Sequence, residues 1–345
     1  MPLITFTGSG LYCAQANIYI DPWKPVQYAI ISHAHSDHAS AGHAHYLCHH
    51  DTKPILQLRL GENNYQSVEW GETVTVNGVR ISLHPAGHII GSSQVRLEYN
   101  GEVWVFSGDY KLENDGISGA FEPVKCHTFI TESTFGLPIY KWKRQEEIYQ
   151  DIQNWIRHNI SSGKASVLVA YSLGKAQRVL QAVSGVVDKV LAHGAICNVQ
   201  EVMKQQGRQF IEVERVTPEM NKAAFKNAVI IAPPSADGTP WMKRFTPYSL
   251  GICSGWMQVR GHVRRRNADK GFALSDHCDW NSLLSAVKAT EAERVFVTHG
   301  FQSAFSRYLN ENGIEAHEVI TQYGNEDEEA GTKEDETVKP GEENL

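Results

Sequence analysis

The stretch ISHAHSDHASAGH, residues Ile31 to His43, decides how the rest of the chain is read. Four side chains able to bind a metal, His33, His35, Asp37 and His38, fall within six residues. The apolar run Tyr28-Ala29-Ile30-Ile31 leads into them, and small and turn residues follow. The pattern predicts a strand end opening into a loop, then a helix start. Imidazoles and a carboxylate crowded at one point are costly to bury unless a charge organises them, and a metal ion is the simplest such charge. Neutral imidazole and carboxylate suit zinc and its first-row neighbours. The competing reading is a solvated histidine-rich loop.

The surrounding composition is that of an ordinary soluble globular protein, with 345 residues, 41% hydrophobic and 21% charged, enough for one large domain or two sharing a chain. No run of about 18 apolar residues occurs, so no transmembrane helix is expected. The first residues, MPLITFTGSG, have neither the basic nor the apolar part of a signal peptide. Six scattered cysteines without a CxxC argue against a disulfide framework or a thiolate zinc site, and fit a reducing cytoplasm. The net charge of −7 resides in the tail, where Asn325 to Leu345 hold nine acids and two lysines, leaving 30 basic and 30 acidic residues in the body. The tail, residues 324–345, is expected to be disordered. The overall acidity therefore does not exclude a polyanionic substrate.

Along the chain, ligand-type side chains recur where strands end. The opening strands are expected as LITF, CAQANIYID and VQYAIIS, with Asp21 closing the second and suited to hold a ligand imidazole. Asn77-Gly78 and Asn100-Gly101, each between alternating runs, predict two tight hairpins. Their strands lead to His88 in PAGHIIGSS and Asp109 in SGDY. Glu132 ends the next strand, in FITESTFG, while SDHCDW brings His277 and RVFVTHG brings His299 near the far end. His43, His45, His49 and His50 have no accompanying carboxylate and are expected on a surface or helix face.

Between about Leu137 and Lys270, amphipathic helical stretches alternate with short apolar strands, as in an α/β lobe. Within it, Ser172, Gly174 and Lys175 stand at an expected helix N-terminus, where free N–H groups favour anions; an ordinary N-cap with a surface lysine is the alternative. Residues 241–270 hold seven Lys/Arg, among them Arg260, Arg264 and Arg265, against one acid, with Trp241, Phe245, Tyr248 and Trp256 interleaved. Bases with aromatics suit a nucleic-acid track; a solvated basic face is the alternative.

Gathered, the strand-end groups suffice for two metals. One division puts His33, His35 and His88 on the first ion and Asp37, His38 and His299 on the second, with Asp109 bridging. Two such ions lower the pKa of a shared water and clamp attacking and leaving oxygens, which suits phosphodiester hydrolysis. Glu132 and His277 remain as a carboxylate–imidazole pair able to act as general acid toward the leaving oxygen.

These motifs resemble the metallo-β-lactamase superfamily in its β-CASP nuclease branch. HxHxDH matches His33, His35, Asp37 and His38; Asp21, His88 and Asp109 match the motifs around it; Glu132, His277 and His299 match the branch-specific ones. GKAQ, Gly174 to Gln177, resembles the GRAQ segment of the inserted cap. The resemblance covers nearly all of the chain except the tail. It implies an α/β fold, an αββα sandwich from residues 1–136 and 271–323, with a β-CASP cap domain, residues 137–270, inserted over the site. It also implies two divalent metal ions, zinc first and manganese or iron as alternatives, and a metal-dependent nuclease with Asp37, Glu132 and His277 as catalytic residues. His299 at the last motif leans toward RNA. The short chain and its texture, YSLGKAQR and ICSGWMQVRG, most resemble bacterial DNA exonucleases associated with a DNA ligase and a helicase. The expectation is therefore a DNA exonuclease in DNA repair, with an RNA-processing ribonuclease or a small-molecule ester, thioester or lactam hydrolase as alternatives. A non-catalytic subunit is disfavoured because no ligand is lost.

Overall fold

A computed structural model describes residues 2–187 and 189–319. The acidic tail lies outside the described residues. These fall into two compact units: one built from the chain up to Lys141 and again from His277, the other from Trp142–Asp276.

In the first unit a six-stranded sheet runs in chain order through Thr5–Thr7, Gly10–Cys13, Ile18–Ile20, Tyr28–Ile30, His45–His49 and Tyr65–Val68. A seven-stranded sheet has the order Glu315–Glu318, Arg294–Gly300, Thr128–Ser133, Glu102–Phe106, Ser93–Tyr99, Val79–Pro85 and Thr73–Val76. Strand alternation sets the layering. Leu97, Trp104 and Ile130 of the second sheet meet Leu11, Ile20 and Ile30 of the first in one core. Val105, Phe129 and Val297 point the other way, onto Leu283 and Val287 of helix Trp280–Thr290 and Phe305 of helix Gln302–Glu311. Two sheets face to face with helices outside give the αββα sandwich.

Asn77 and Gly78, and again Asn100 and Gly101, have positive φ and close two-residue hairpins between paired strands, as their sequence predicts. Two expectations for this unit need correction. CAQANIYID is not one strand: Asn17 turns left-handed at φ 53°, and Cys13 pairs back onto Ile18. Asn supplied the turn without a flanking Gly to mark it. The metal loop does not open into a helix. Ala39 N donates to His35 O in a single turn, and the chain then re-enters the sheet as the strand His45–His49.

The second unit is an all-parallel six-stranded sheet ordered Glu212–Arg215, Lys189–Ala192, Val229–Ala232, Ala165–Val169, Tyr248–Cys253 and Lys270–Phe272. Its near-continuous apolar strands are those of a sheet covered on both faces. Helices Gln145–Ser161, Lys175–Val183 and Gly194–Gln205 contribute Ile152, Val179 and Ile196 to one face, while Phe225, Met242 and Phe245 fill the other. Residues 271–276, expected with the sandwich, belong here. Gly271 and Phe272 extend this sheet beside Ile252 and Cys253, and Leu274 is buried in its core.

Candidate metal centre

The sandwich gathers the sequence-predicted ligands at the strand ends. Tyr28–Ile30 delivers the HxHxDH loop, in which Asp37 is part-buried and His33, His35 and His38 are buried. His88 follows Val79–Pro85, its backbone N donating to Ser92 Oγ at 3.0 Å. Asp109 follows Glu102–Phe106 across Gly108, whose φ is +56° and where a Cβ would stand 2.9 Å from Ser32 Oγ. Glycine thus lets Asp109 approach the histidine loop closely.

The ligand atoms of His33, His35, His88 and Asp109 lie within 4.8 Å of one another, and so do those of Asp37, His38 and Asp109. Asp109 Oδ2 is common to both sets, 3.6 Å from His33 Nε2, 3.4 Å from His38 Nε2 and 3.8 Å from His88 Nε2. His299, left-handed at φ 52°, stands beside the second set with its ring 5.3 Å from that of His38. Among the described residues, His33 Nε2, His38 Nε2 and Asp37 Oδ1 are buried without a hydrogen-bond partner. Buried polar atoms left unpaired beside a shared carboxylate are costly in a protein interior. Divalent cations relieve that cost, so the residues present fit a pair of metal ions.

Electrostatics point the same way. Burial holds the His33 imidazole well below its ordinary value, helped by the neighbouring His38. Burial also opposes charging His38, but the Asp37 and Asp109 carboxylates overcome it and raise His38 well above the ordinary range. Burial would raise Asp109, but the charge of His38 and its neighbours holds it well below the usual carboxylate range. The raised His38 imidazole and the lowered Asp109 carboxylate thus favour opposite charges on neighbouring groups.

Asp21 is buried behind this cluster. It accepts from Ser32 N at 2.7 Å and pairs with His38 Nδ1 at 2.7 Å, which turns His38 Nε2 toward Asp109. Glu132 and His277 form a second pair, with His277 Nδ1 3.0 Å from both carboxylate oxygens. Glu132 also accepts from Tyr110 N at 2.9 Å and Thr134 N at 3.3 Å, so its orientation is fixed by backbone. Asp109, Glu132 and His277 again offer atoms within 4.8 Å of one another, which joins this pair to the cluster.

His43 and His49 are buried, and His45–His49 form a strand, not the surface or helix face expected for them. His43 Nδ1 accepts from Val26 N, His45 stacks on Tyr28, and His49 stacks on Trp70 with centroids 4.0 Å apart. Sequence reading missed the helix Thr52–Leu60. Thr52 Oγ1 donates to Gly91 O at 2.8 Å, and Arg59 donates to Ala34 O at 2.5 Å. Burial pushes the Arg59 guanidinium down to about 10, opposed by the Asp37 charge.

In the second unit, Ser172 and Gly174 precede helix Lys175–Val183, and Gln177 closes the turn by accepting from Gly174 N at 2.7 Å and donating to Ser172 O at 3.1 Å. Lys175 is not a surface lysine: its Nζ lies 3.1 Å from Asp276 Oδ1 in a buried pair and 4.4 Å from the Tyr171 ring centre. Arg260, Arg264 and Arg265 lie exposed on helix Arg260–Arg265. The interleaved aromatics do not form a stacking track. Phe245 is buried, and Trp241, Tyr248 and Trp256 pack against the same core, because their apolar faces are worth more inside than on a wet surface.

Residues 17–143 match the family model described as the metallo-beta-lactamase superfamily. A "Probable DNA ligase" of Opitutus terrae is 31% identical over 92% of this chain, which spans only 31% of that relative's length. The "Endoribonuclease YSH1" of Yarrowia lipolytica is 30% identical over 36% of this chain and 15% of its own, and that of Saccharomyces cerevisiae 29% over 33% and 15%. A crystal structure of a protein of unknown function from Enterococcus faecalis V583 superposes with a TM-score of 0.60 at 12% identity, covering 86% of this chain and 79% of that one, a likeness of fold alone. Among the described residues no helix is long and apolar enough to cross a membrane. The family match falls on the strands and loops that carry His33 through Asp109, so the chain carries a metallo-β-lactamase domain there, and its nuclease-related relatives are consistent with the β-CASP branch.

Proposed function

We propose that this protein is a metal-dependent nuclease that hydrolyses phosphodiester bonds of DNA as an exonuclease in DNA repair. The observation that carries the reading is the shared Asp109, which joins two ligand sets at one buried point beside the Glu132–His277 pair. Two divalent ions, zinc by preference, held by His33, His35, His88 and Asp109 on one side and Asp37, His38, His299 and Asp109 on the other, would lower the pKa of a shared water and neutralise the attacked phosphate. Asp21 keeps His38 in the tautomer that offers Nε2. Glu132 orients His277 through Nδ1, and the imidazole delivers a proton to the departing oxygen.

DNA is favoured over RNA because a relative that matches nearly the whole chain is named as a DNA ligase, whereas the matches named as endoribonucleases cover between about a third and a half of it. The likeness to a protein named as a DNA ligase is the support for functional association with such a ligase; association with a helicase rests on the sequence resemblance alone. The exposed Arg260, Arg264 and Arg265 supply counter-charge for a phosphate backbone. The Ser172–Lys175 turn is the place for a terminal phosphate. Lys175 is paired with Asp276 and Gly174 N with Gln177, so a phosphate bound there would compete with both. RNA is the second reading, favoured by His299 at the last motif.

The test is digestion of matched, end-labelled DNA and RNA by metal-reconstituted protein, with the Asp37→Ala/His38→Ala double variant as control. Shortening of DNA from one end, abolished in the double variant, is the expected result. Preferential RNA cleavage would transfer the assignment to RNA processing, and activity surviving in the double variant would overturn the metal-centre assignment.

A further inference from the structure

Helix Thr52–Leu60 carries no metal ligand, yet it touches both loops that do. At its first residue, Thr52 Oγ1 donates to Gly91 O, three residues beyond His88. Gly91 has φ +72°, and a Cβ there would lie 2.5 Å from Thr52 Oγ1, so loop and helix are in van der Waals contact. At its last turn, Arg59 Nη1 donates to the carbonyl of Ala34, the fully buried residue between His33 and His35. One rigid element thus holds the two separate segments from which three imidazoles must converge.

We propose that Arg59 is a positioning residue for the three-histidine half of the centre, bracing His33 and His35 against His88 through the Thr52–Leu60 helix. The inference rests on the metal-centre reading above. Two opposite effects are separable by sign. A cation near a metal site repels metal, so an arginine that acted only as a charge would weaken binding, and its removal would tighten it. An arginine that fixes ligand geometry strengthens binding, and its removal weakens it, by about 10–100-fold for groups of this kind. The guanidinium, planar and donating to the Ala34 carbonyl, suits the second role.

The experiment is zinc titration of metal-free protein in competition with a chelator, for wild type, Arg59→Met, Arg59→Lys and Thr52→Val, with thermal melting of each metal-free protein alongside. Wild type should take two equivalents; if it takes none, the metal-centre reading fails and not the role of Arg59. With two equivalents in wild type, one should weaken about 10–100-fold in Arg59→Met, with a smaller loss in Arg59→Lys, which keeps the charge and one donor, and in Thr52→Val. Should Arg59→Met fail to fold, Arg59→Lys decides: weakening of one equivalent at unchanged melting temperature supports the brace. Unchanged or tighter zinc binding in the folded Arg59 variants, or equal weakening of both equivalents, would overturn it.

Discussion

At the scale of single residues the site is a set of charges that cannot rest without a cation. His38 makes this testable. Its folded value is raised, so in the metal-free protein its protonated form contributes stability that is fully present below the unfolded value and is lost as pH rises through the folded one. A metal must displace that proton. Zinc uptake is therefore expected to release protons at pH values below the raised His38 value and to strengthen as pH climbs toward it; calorimetric titrations in buffers of different ionisation enthalpy count the protons. Asp21→Asn removes the carboxylate that holds His38 Nδ1, and the expected result is about a 10–100-fold loss of affinity in the Asp37/His38 half, read by chelator competition. The gathering of imidazoles and carboxylates was legible in the sequence, because these groups at short spacing have few structural uses. Arg59 and Thr52 were not, because both act on backbone carbonyls, and an arginine on an amphipathic helix looks like solvated surface until the fold brings Ala34 to it.

At the scale of elements, hairpins and strands were legible wherever a two-residue Asn-Gly turn fixed register, and less so elsewhere. The first long run split at Asn17, where a left-handed asparagine without glycine does the turning. The helix expected after the metal loop became a strand, since the apolar faces of Tyr46 and Cys48 find partners in the sheet that one turn of helix could not supply. Aromatics in the basic segment misled most, being core residues whose neighbours in sequence happen to be exposed arginines. The strand Arg294–Gly300 shows how an element end is tuned for a site. His299 and Gly300 are both left-handed, Ser133 Oγ donates to His299 O at 2.5 Å, and a Cβ on Gly300 would collide with the Ser133 carbonyl. Gly300→Ala combines a strained backbone with a backbone clash. It is expected to destabilise the protein by roughly 3 kcal/mol or more in urea denaturation, with loss of metal affinity at the His299 side.

At the scale of the whole molecule, the family resemblance carried the sandwich, while the junctions followed packing. The structure turns from one unit to the other at Lys141 and at Asp276, because the short strand Lys270–Phe272 completes the parallel sheet before the chain returns to His277. The motif residues lie more than 260 positions apart, from His33 to His299, and only the sandwich explains how they share one pole. That convergence is the central claim, and anomalous X-ray scattering from zinc-reconstituted crystals tests it most directly. Two zinc peaks are predicted on either side of Asp109, one ringed by His33, His35 and His88 and the other by Asp37, His38 and His299. A single peak away from Asp109, or none in protein that takes up zinc elsewhere, would contradict the account.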